Sequence, residues 1–318
     1  MKKILITGGA GFIGSNLCDV LIKDGHEVFC LDNLYTGKYD NIKHLVENKN
    51  FHYIFGDIVD CKLNIGKVDE IYNLACPASP PAYQKYPIKT ILTNIYGLNN
   101  VLEYAVKYNA KVLQTSTSEV YGDPLTSPQS EKYWGNVNPF GERSCYDEGK
   151  RCAEALCYSY MKQERADVRV IRIFNTYGPN MDVNDGRVIS NFIVQALKNK
   201  PVTVYGTGMQ TRSPQYISDL IDGIKQVMKM PYGALKSPIN IGNPDEHTIL
   251  DLAEKIISMT NSKSIIEHKP LPCDDPKKRK PDIKFANEII NWHPKVSLEY
   301  GLNETIKYFK SILATQSI

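Results

Sequence analysis

Short apolar runs alternate with longer stretches of helical periodicity along the first half of the chain. Lys3–Thr7 is one such run, and after a glycine turn the apolar residues recur at helical spacing as far as residue 23. Strands that alternate with helices of this length indicate parallel pairing and a doubly wound sheet. The pattern predicts strands at residues 3–7, 27–31, 51–55, 70–74, 111–116 and 168–174, and helices at 12–23, 87–106 and 145–164.

The alternation becomes less regular after residue 179, where Pro and Gly are frequent. We predict an α/β fold with a Rossmann-type doubly wound parallel sheet at 1–178, a return segment near 216–241, and a smaller C-terminal substrate lobe at 179–318. No linker-like stretch separates the two parts, so a shared cleft is expected. The further helices are predicted at 188–198, 218–230, 249–259 and 298–312, with short strands at 202–205 and 238–241.

The composition is that of an ordinary globular protein. Of 318 residues, 42% are hydrophobic and 23% are charged, and the formal net charge is +3. So small a charge argues against nucleic-acid binding, and no apolar run reaches the roughly 18 residues of a membrane span. The N-terminus passes from a short strand into glycines, so no signal peptide is predicted. We expect a cytoplasmic protein with neither nucleic acid nor membrane as a partner.

The eight cysteines and six histidines are scattered along the chain. No two cysteines form a C-x-x-C, and no group of Cys and His has the spacing of a zinc site. We therefore predict reduced thiols and no metal, and we assign no catalytic role to a histidine.

The turn after the first strand indicates a ligand. Gly8, Gly11 and Gly14 form a G-x-x-G-x-x-G turn between a strand and a helix. Residues without Cβ let a pyrophosphate approach the backbone at the helix N-terminus, where the dipole favours an anion. The next strand ends at Asp32, an acid placed to accept hydrogen bonds from the adenosine ribose. Because a carboxylate there repels a 2′-phosphate, the predicted cofactor is NAD.

Further residues are assigned to the same cofactor. Asp57 and Ile58 follow the third strand and could reach the adenine, although a solvated loop acid explains Asp57 nearly as well from sequence alone. The other assignments are Phe12, Ile13, Asn33, Leu74, Tyr146, Lys150 and Arg187.

A Tyr-x-x-x-Lys pair indicates acid–base chemistry. Tyr146 and Lys150 are four residues apart, so they share one face of a helix. An ammonium beside a phenol favours the phenolate and lowers its pKa from about 10. The phenolate is a base for a sugar hydroxyl as hydride leaves the same carbon. A hydroxyl at the end of the fifth strand, Thr117 or Ser118, can orient the same substrate oxygen.

Together these motifs resemble the extended short-chain dehydrogenase/reductase family of nucleotide-sugar enzymes, of the NAD-dependent epimerase/dehydratase type. Besides the glycine turn and the Tyr-x-x-x-Lys pair, the chain shares STSEVYG at 116–122 and FNTYGP at 174–179, and the resemblance runs nearly its whole length. Within the family it is most similar to the decarboxylases that convert UDP-glucuronate to UDP-xylose. The phrases that carry this similarity are PASPP at 77–81, YGDP at 121–124, CYDEGKR at 145–151, NDGRV at 184–188 and RKPD at 279–282.

The resemblance implies a lyase that oxidises the sugar at C4, releases CO2 and reduces the ketone again, so that NAD is regenerated. Ser118 and Glu119 stand where family dehydratases have Asp and Glu, and a serine cannot supply the acid that dehydration needs. Arg279 resembles the basic residue near the substrate carboxylate, although it also fits a solvated basic run. The implied UDP-binding residues are Asn175, Val188, Asn191, Phe192, Tyr205 and Arg212.

Two positions depart from the decarboxylase pattern. Leu92 stands where those enzymes usually have Lys, and Pro214 where they usually have Phe. Both departures are expected at the sugar pocket, so a UDP-N-acetylglucosaminuronate decarboxylase stays an alternative. A nucleotide-sugar 4-epimerase or 4,6-dehydratase is the other enzyme alternative. A non-catalytic NAD-binding protein is the alternative outside enzymes.

The family commonly dimerises through two helices beside the sheet, and the resemblance therefore implies a homodimer. Here those helices are the ones predicted at 87–106 and 145–164. Their outward residues are expected to include Leu98, Val101, Leu156 and Tyr160.

Overall fold

The computed structural model describes residues 1–271 and 278–315. Cys273 lies outside the described residues, and the described cysteines are free thiols. The strands are β1 (Lys3–Thr7), β2 (Glu27–Asp32), β3 (Phe51–Phe55), β4 (Glu70–Asn73), β5 (Lys111–Thr117), β6 (Val168–Ile173), β7 (Thr176–Tyr177), β8 (Val202–Tyr205), β9 (Thr211–Arg212), β10 (Gln215–Tyr216), β11 (Ile239–Ile241), β12 (His247–Thr248), β13 (Ile266–Lys269) and β14 (Lys278–Arg279). The helices are α1 (Phe12–Lys23), α2 (Pro80–Lys85), α3 (Pro87–Leu92), α4 (Leu98–Tyr108), α5 (Ser144–Gln163), α6 (Val188–Leu197), α7 (Ile217–Lys229), α8 (Ile249–Thr260), α9 (Lys284–Ile290) and α10 (Leu298–Thr315).

Seven parallel strands form the central sheet, in the order β3-β2-β1-β4-β5-β6-β11. The chain starts at β1, builds outward to β3, and then returns to the other side of β1 to add β4 and the later strands. This is the doubly wound Rossmann-type topology that the sequence predicts. At the switch point the carboxyl ends of β1 and β4 lie side by side, with Thr7 paired to Asn73. Sheets of this kind bind ligands at that point.

Both faces of the sheet are covered, which explains the nearly continuous apolar runs of its central strands. Because side chains alternate along a strand, Ile4 and Ile6 of β1 pack on one face while Leu5 packs on the other, and all three are fully buried. Helices α1 and α7 contribute to the first of these cores, and α4 and α5 to the second.

The helix predicted at 87–106 is two α-helices joined by a π-helical turn. That turn, Thr93–Gly97, lies between α3 and α4. Its Gly97 sits so close to Ile58 that a Cβ would lie 2.7 Å from Ile58 Cγ2. Leu98 and Val101, expected on the outer surface, are fully buried in the core instead.

The C-terminal lobe has a core of its own, formed mainly by α6, α8 and α10. A three-stranded sheet with the order β12-β9-β14 brings Arg212 and Arg279 into direct register. The chain also returns to the large sheet, since β11 pairs with β6 and α7 packs beneath them. The exact division at residue 178 stays a prediction.

Candidate active site

A cavity of about 1210 Å³ opens at the carboxyl ends of the central strands, between the sheet and the C-terminal lobe. Every residue that the sequence assigned to cofactor, catalysis or substrate lines this cavity. Residues from all parts of the chain therefore meet at one place.

The glycine turn leaves room for a ligand because no side chain can occupy it. Gly8 has a φ of +69°, and a Cβ there would lie 2.8 Å from the backbone carbon of Leu74. At Gly14 a Cβ would lie 2.2 Å from the carbonyl oxygen of Gly8. Helix α1 starts directly behind the turn with Phe12 and Ile13, and its first turn contains no acidic residue that would disfavour an anion at its N-terminus. The turn fits the pyrophosphate of NAD.

Asp32 is held in place by the backbone around it. One carboxylate oxygen, Oδ2, accepts a hydrogen bond from the N–H of Ala10 at 2.9 Å, and Oδ1 accepts one from Leu34 at 2.8 Å. Burial raises the pKa of Asp32, and the backbone donors act against that shift. Gly37, which the sequence analysis missed, passes so close that a Cβ would lie 2.8 Å from the carboxylate. The carboxylate is thus fixed at the edge of the cavity.

We expect Asp32→Asn to weaken NAD binding by about 10- to 100-fold, because hydrogen bonds to a charged acceptor contribute about 1.5–3 kcal/mol. The substitution also removes the charge that disfavours a 2′-phosphate, so the preference for NAD over NADP should narrow. Calorimetric titration with both cofactors measures this. Asp40→Asn, an exposed acid in the same loop region, is the matched control, and an unchanged NAD affinity in Asp32→Asn would contradict the assignment.

Asp57 is not a solvated loop acid. Its Oδ2 lies 2.7 Å from Lys89 Nζ and accepts a hydrogen bond from Asn33 at 2.8 Å. Burial alone would raise the pKa of Asp57, but the Lys89 ammonium and the hydrogen bonds outweigh it and lower the pKa. These contacts build a polar rim beside Ile58, at the place predicted for the adenine.

Tyr146 and Lys150 face the cavity from one side of α5. Both are buried, and the Lys150 Nζ lies 5.9 Å from the centre of the Tyr146 ring. That ammonium donates a hydrogen bond of 2.9 Å to the carbonyl of Thr115. The Tyr146 ring stacks on Tyr83, with centroids 4.9 Å apart and planes 5° apart. The two rings fix the direction in which the phenol points.

The predicted lowering of the Tyr146 pKa is wrong for this structure. Burial raises the pKa of Tyr146 well above its usual value, and the neighbouring Cys76 adds to this, while a hydrogen bond with Thr117 lowers it. The ammonium of Lys150, which lies 5.9 Å from the ring centre and donates to the carbonyl of Thr115, does not reverse the effect of burial. Additional positive charge beside the phenol would lower this pKa.

Glu119 is the centre of a buried charge cluster. Its Oε2 accepts hydrogen bonds from Arg143 at 2.5 Å and from Arg279 at 3.2 Å. Burial would raise the pKa of Glu119, but Arg279, Arg143 and Arg212 together lower it. Arg143 was missed by the sequence analysis, and the only available signal was its place three residues before Tyr146.

Arg279 does not belong to a solvated basic run. Only 2% of the residue is exposed, and its guanidinium also donates to the carbonyls of Ser118 at 2.7 Å and Gly122 at 3.0 Å. A residue with these contacts supports the turn that carries Glu119. Its contact with a substrate carboxylate remains a proposal.

Asp147 lies directly behind this cluster. Burial, followed by the charge of Glu119, raises the pKa of Asp147 to about 7, although Arg143 and Arg279 act in the other direction. Because this value exceeds the usual 3.8, the folded protein binds more protons than the unfolded chain between about pH 4 and about pH 7. Ionised Asp147 therefore makes the folded state less stable as the pH rises through that window.

We expect Asp147→Asn to stabilise the protein against unfolding at pH 8, by on the order of a few kcal/mol, and much less at pH 4. Urea denaturation of both proteins across this pH range measures the difference. Glu148→Gln, on the adjacent and more exposed position of α5, serves as the control. A gain that does not change with pH would contradict the buried-carboxylate interpretation.

The residues predicted to hold UDP line the far side of the cavity. Arg212 is 9% exposed and donates to the carbonyl of Thr211, while Arg187 makes two bonds of 2.5 and 2.7 Å to Asp185 and lies over the Phe12 ring. Asn191 donates to the carbonyl of Gly186 at 3.0 Å. Arg187 therefore lies beside the start of α1, next to the glycine turn, and Arg212 is the second arginine of this part of the cavity lining.

The two departures from the decarboxylase pattern have different positions. Pro214 lines the cavity, as expected, but Leu92 does not, and Lys89 and Thr93 on either side of it do. Adjacent residues of a helix point in different directions, so Leu92 need not face the cavity although Thr93 does. Leu92 is instead partly buried by the surrounding protein. The expectation that Leu92 shapes the sugar pocket is therefore wrong, and it no longer favours an N-acetylated substrate.

The chain is similar to known proteins over nearly its whole length. It is 54% identical over 316 residues to UDP-glucuronic acid decarboxylase 1 of Danio rerio, covering 99% of this chain and 74% of that protein. It is 52% identical over 309 residues to UDP-glucuronic acid decarboxylase 1 of Arabidopsis thaliana, covering 97% and 70%.

A solved structure has the same architecture. The UDP-glucuronic acid 4-epimerase of Bacillus cereus, in complex with UDP-glucuronic acid and NAD, superimposes with a TM-score of 0.87 at 29% identity, covering 98% of this chain and 99% of that one. The profile of the NAD dependent epimerase/dehydratase family matches residues 4–242. With its parallel sheet, glycine turn and Tyr-x-x-x-Lys helix, the chain belongs to the NAD dependent epimerase/dehydratase family.

Proposed function

We propose that this protein is an NAD-dependent carboxy-lyase that converts UDP-glucuronate to UDP-xylose and CO2. The observation that carries the proposal is one cavity in which the Tyr146–Lys150 pair lies beside Glu119 and its two arginines. The two relatives above, at 54% and 52% identity, are UDP-glucuronic acid decarboxylases.

The cofactor site is formed by the glycine turn and Asp32. The turn receives the pyrophosphate at the start of α1, and Asp32 accepts from the adenosine ribose. NAD, when bound, accepts a hydride from C4 of the sugar and later returns it. The remaining chemistry is that of the protein's own side chains.

Tyr146 is the base for the C4 hydroxyl. Thr117 shares a hydrogen bond with Tyr146, so both groups can hold the same substrate oxygen. Lys150, anchored on the Thr115 carbonyl, keeps a positive charge behind the phenol. When the proton of the C4 hydroxyl moves to the Tyr146 phenolate, the ring and its partner Thr117 are already in position.

Decarboxylation follows from the position of the ketone. A ketone at C4 lies beta to the carboxylate on C5. The bond between C5 and the carboxylate breaks, CO2 leaves, and the electrons of that bond remain on the sugar as an enolate of the ketone. C5 then takes a proton. Arg143 and Arg279 provide the positive charge that holds the uronate carboxylate beside Glu119. The low pKa of Glu119 keeps it ionised at neutral pH, so we assign it to holding these arginines rather than to donating a proton.

Dehydration is a poorer fit to this site. The 4,6-dehydratase reaction needs an acid that protonates the leaving hydroxyl. Ser118 has no such acidity, and the pKa of Glu119 is lowered by its arginines. Neither group supplies the acid at neutral pH.

The test is incubation of the purified protein with UDP-glucuronate, UDP-N-acetylglucosaminuronate and UDP-glucose, with products and CO2 followed by mass spectrometry. We expect UDP-xylose and one equivalent of CO2 from UDP-glucuronate without net consumption of NAD. Formation of UDP-galacturonate without CO2 would identify a 4-epimerase instead. Turnover confined to the N-acetylated uronate would reassign the substrate.

We also propose a homodimer in the cytoplasm. Tyr96 and Tyr158, on the π-helical turn before α4 and on α5, are each 57% exposed, and a second subunit would cover them. Light scattering should give a dimer mass that Tyr158→Glu reduces, and a monomer at all concentrations would overturn the proposal.

Within residues 1–271 and 278–315, no helix is both long and apolar enough to cross a bilayer.

A further inference from the structure

Asp147 occupies an unusual position for a carboxylate. Its side chain is 9% exposed, and its Oδ1 has no hydrogen-bond partner among the described residues. Its Oδ2 lies 3.8 Å from Arg143 Nε, beyond hydrogen-bond distance. Buried ionised carboxylates normally accept several hydrogen bonds, because burial without them is costly. This carboxylate is therefore poorly compensated when it is ionised.

Arg143 joins Asp147 to the active site. Its guanidinium donates to Glu119 at 2.5 Å from one nitrogen and approaches Asp147 with another. Arg143 and Glu119 line the cavity, whereas Asp147 lies behind them and does not. Because Arg143 lies between Asp147 and the cavity, a change in the charge of Asp147 alters how strongly Arg143 is held away from a ligand in the cavity.

A bound uronate carboxylate changes the charges of this cluster. Arg143 and Arg279 lie against Glu119 and Asp147, and Arg212 acts on Glu119 as well. The substrate carboxylate adds a negative charge beside two buried acids, where an unpaired charge is costly. Adding one proton to Asp147 removes one of these negative charges and releases Arg143 from Asp147 for the substrate.

Four charged groups act on Asp147, each from a different place in the fold. They are Glu119 on the turn after β5, Arg143 before α5, Arg279 on β14 and Glu148 on α5. The phenol of Tyr83 on α2 is a further titratable neighbour, and its hydroxyl also has no hydrogen-bond partner among the described residues. The arginines lower the pKa of Glu119, whereas burial and the charge of Glu119 raise that of Asp147 to about 7, so of these two acids Asp147 takes up a proton first as the pH falls.

We propose that Asp147 is a positioning residue that takes up one proton from solvent when the uronate carboxylate binds, so that Arg143 turns from the Asp147–Glu119 pair to the substrate. The inference rests on the proposed function, since it requires an anionic sugar. The proton is added to the Asp147 carboxylate, and no bond of the sugar changes in this step. The proton consumed at C5 during decarboxylation is a separate event.

The experiment uses Tyr146→Phe protein loaded with NAD, in which turnover is expected to be reduced by about 10²–10⁴-fold, so that binding is measured with little reaction. Calorimetric titration at pH 8 in phosphate and in Tris, whose ionisation enthalpies differ, counts the protons taken up. We expect uptake of about one proton per site with UDP-glucuronate and none with UDP-xylose, which lacks the carboxylate. The Kd for UDP-glucuronate should also rise by up to about tenfold from pH 7 to pH 8.

Asp147→Asn in the same background should abolish both the proton uptake and the pH dependence, with binding of UDP-xylose unchanged. Glu148→Gln, the neighbouring acid, should retain both. Uptake that persists in Asp147→Asn, or its absence when Asp147 is intact, overturns the inference. The count with Asp147 intact decides the matter even if Asp147→Asn does not fold. If UDP-xylose binds and UDP-glucuronate does not, both the inference and the proposed function fail, whereas binding without uptake overturns the inference alone.

Discussion

Tyr146→Phe is expected to reduce the turnover of UDP-glucuronate by about 10²–10⁴-fold, the usual contribution of a general base. The phenol is the proposed base for the C4 hydroxyl, and phenylalanine keeps the ring that stacks on Tyr83 at 4.9 Å. The fold and the affinity for NAD should therefore be retained. The rate of CO2 release measures turnover. Thermal melts without and with NAD measure the stability of the fold and the binding of NAD.

Tyr104→Phe is the matched control for this substitution. It removes the same hydroxyl from another buried tyrosine, which donates to the carbonyl of Gly66 and does not line the cavity. Its turnover should remain within a few-fold of the unsubstituted protein. Wild-type turnover in Tyr146→Phe would remove Tyr146 from the mechanism, and equal losses in both variants would indicate a structural effect.

Arg279→Ala is expected to lower the free energy of unfolding by about 3–5 kcal/mol, the cost of breaking a buried ion pair by removing one partner. The guanidinium binds Glu119 and the carbonyls of Ser118 and Gly122, so all three lose a donor together. Catalytic efficiency should fall as well, because the turn that carries Glu119 loses its support. Urea denaturation and kcat/KM with UDP-glucuronate measure the two effects.

Lys280→Ala is the control for Arg279→Ala. Lys280 is the next residue along the chain, and its ammonium makes a more exposed ion pair with Glu246 at 3.5 Å. Exposed pairs contribute about 0–1 kcal/mol, so little change is expected. Unchanged stability in Arg279→Ala would contradict the support of Glu119 by Arg279. Equal losses of affinity for UDP-glucuronate and for UDP would contradict the proposed contact of Arg279 with the substrate carboxylate.

Local pattern in the sequence determined the sheet and the side of the cavity that we assign to NAD. Strand and helix periodicity depends on residues a few positions apart, and the parallel topology follows from their alternation. The glycine turn is also a local feature. A Cβ at Gly8 would collide with the backbone of the neighbouring Leu74, and a Cβ at Gly14 would collide with the carbonyl oxygen of Gly8. The shared face of Tyr146 and Lys150 follows from helical geometry alone.

Tertiary structure alone decided the charge environment of the site. Arg143 and Arg279 meet at Glu119 only because β14 pairs with β9 against the end of β5, and two-residue strands leave no periodic signal in the sequence. The pKa values of Tyr146 and Asp147 are set first by burial. The burial of a side chain depends on all the residues packed around it, and these are distant from one another along the chain. For the same reason the motifs predicted which residues share the cavity, but only the assembled fold determined which of them are ion-paired, buried or turned away from it.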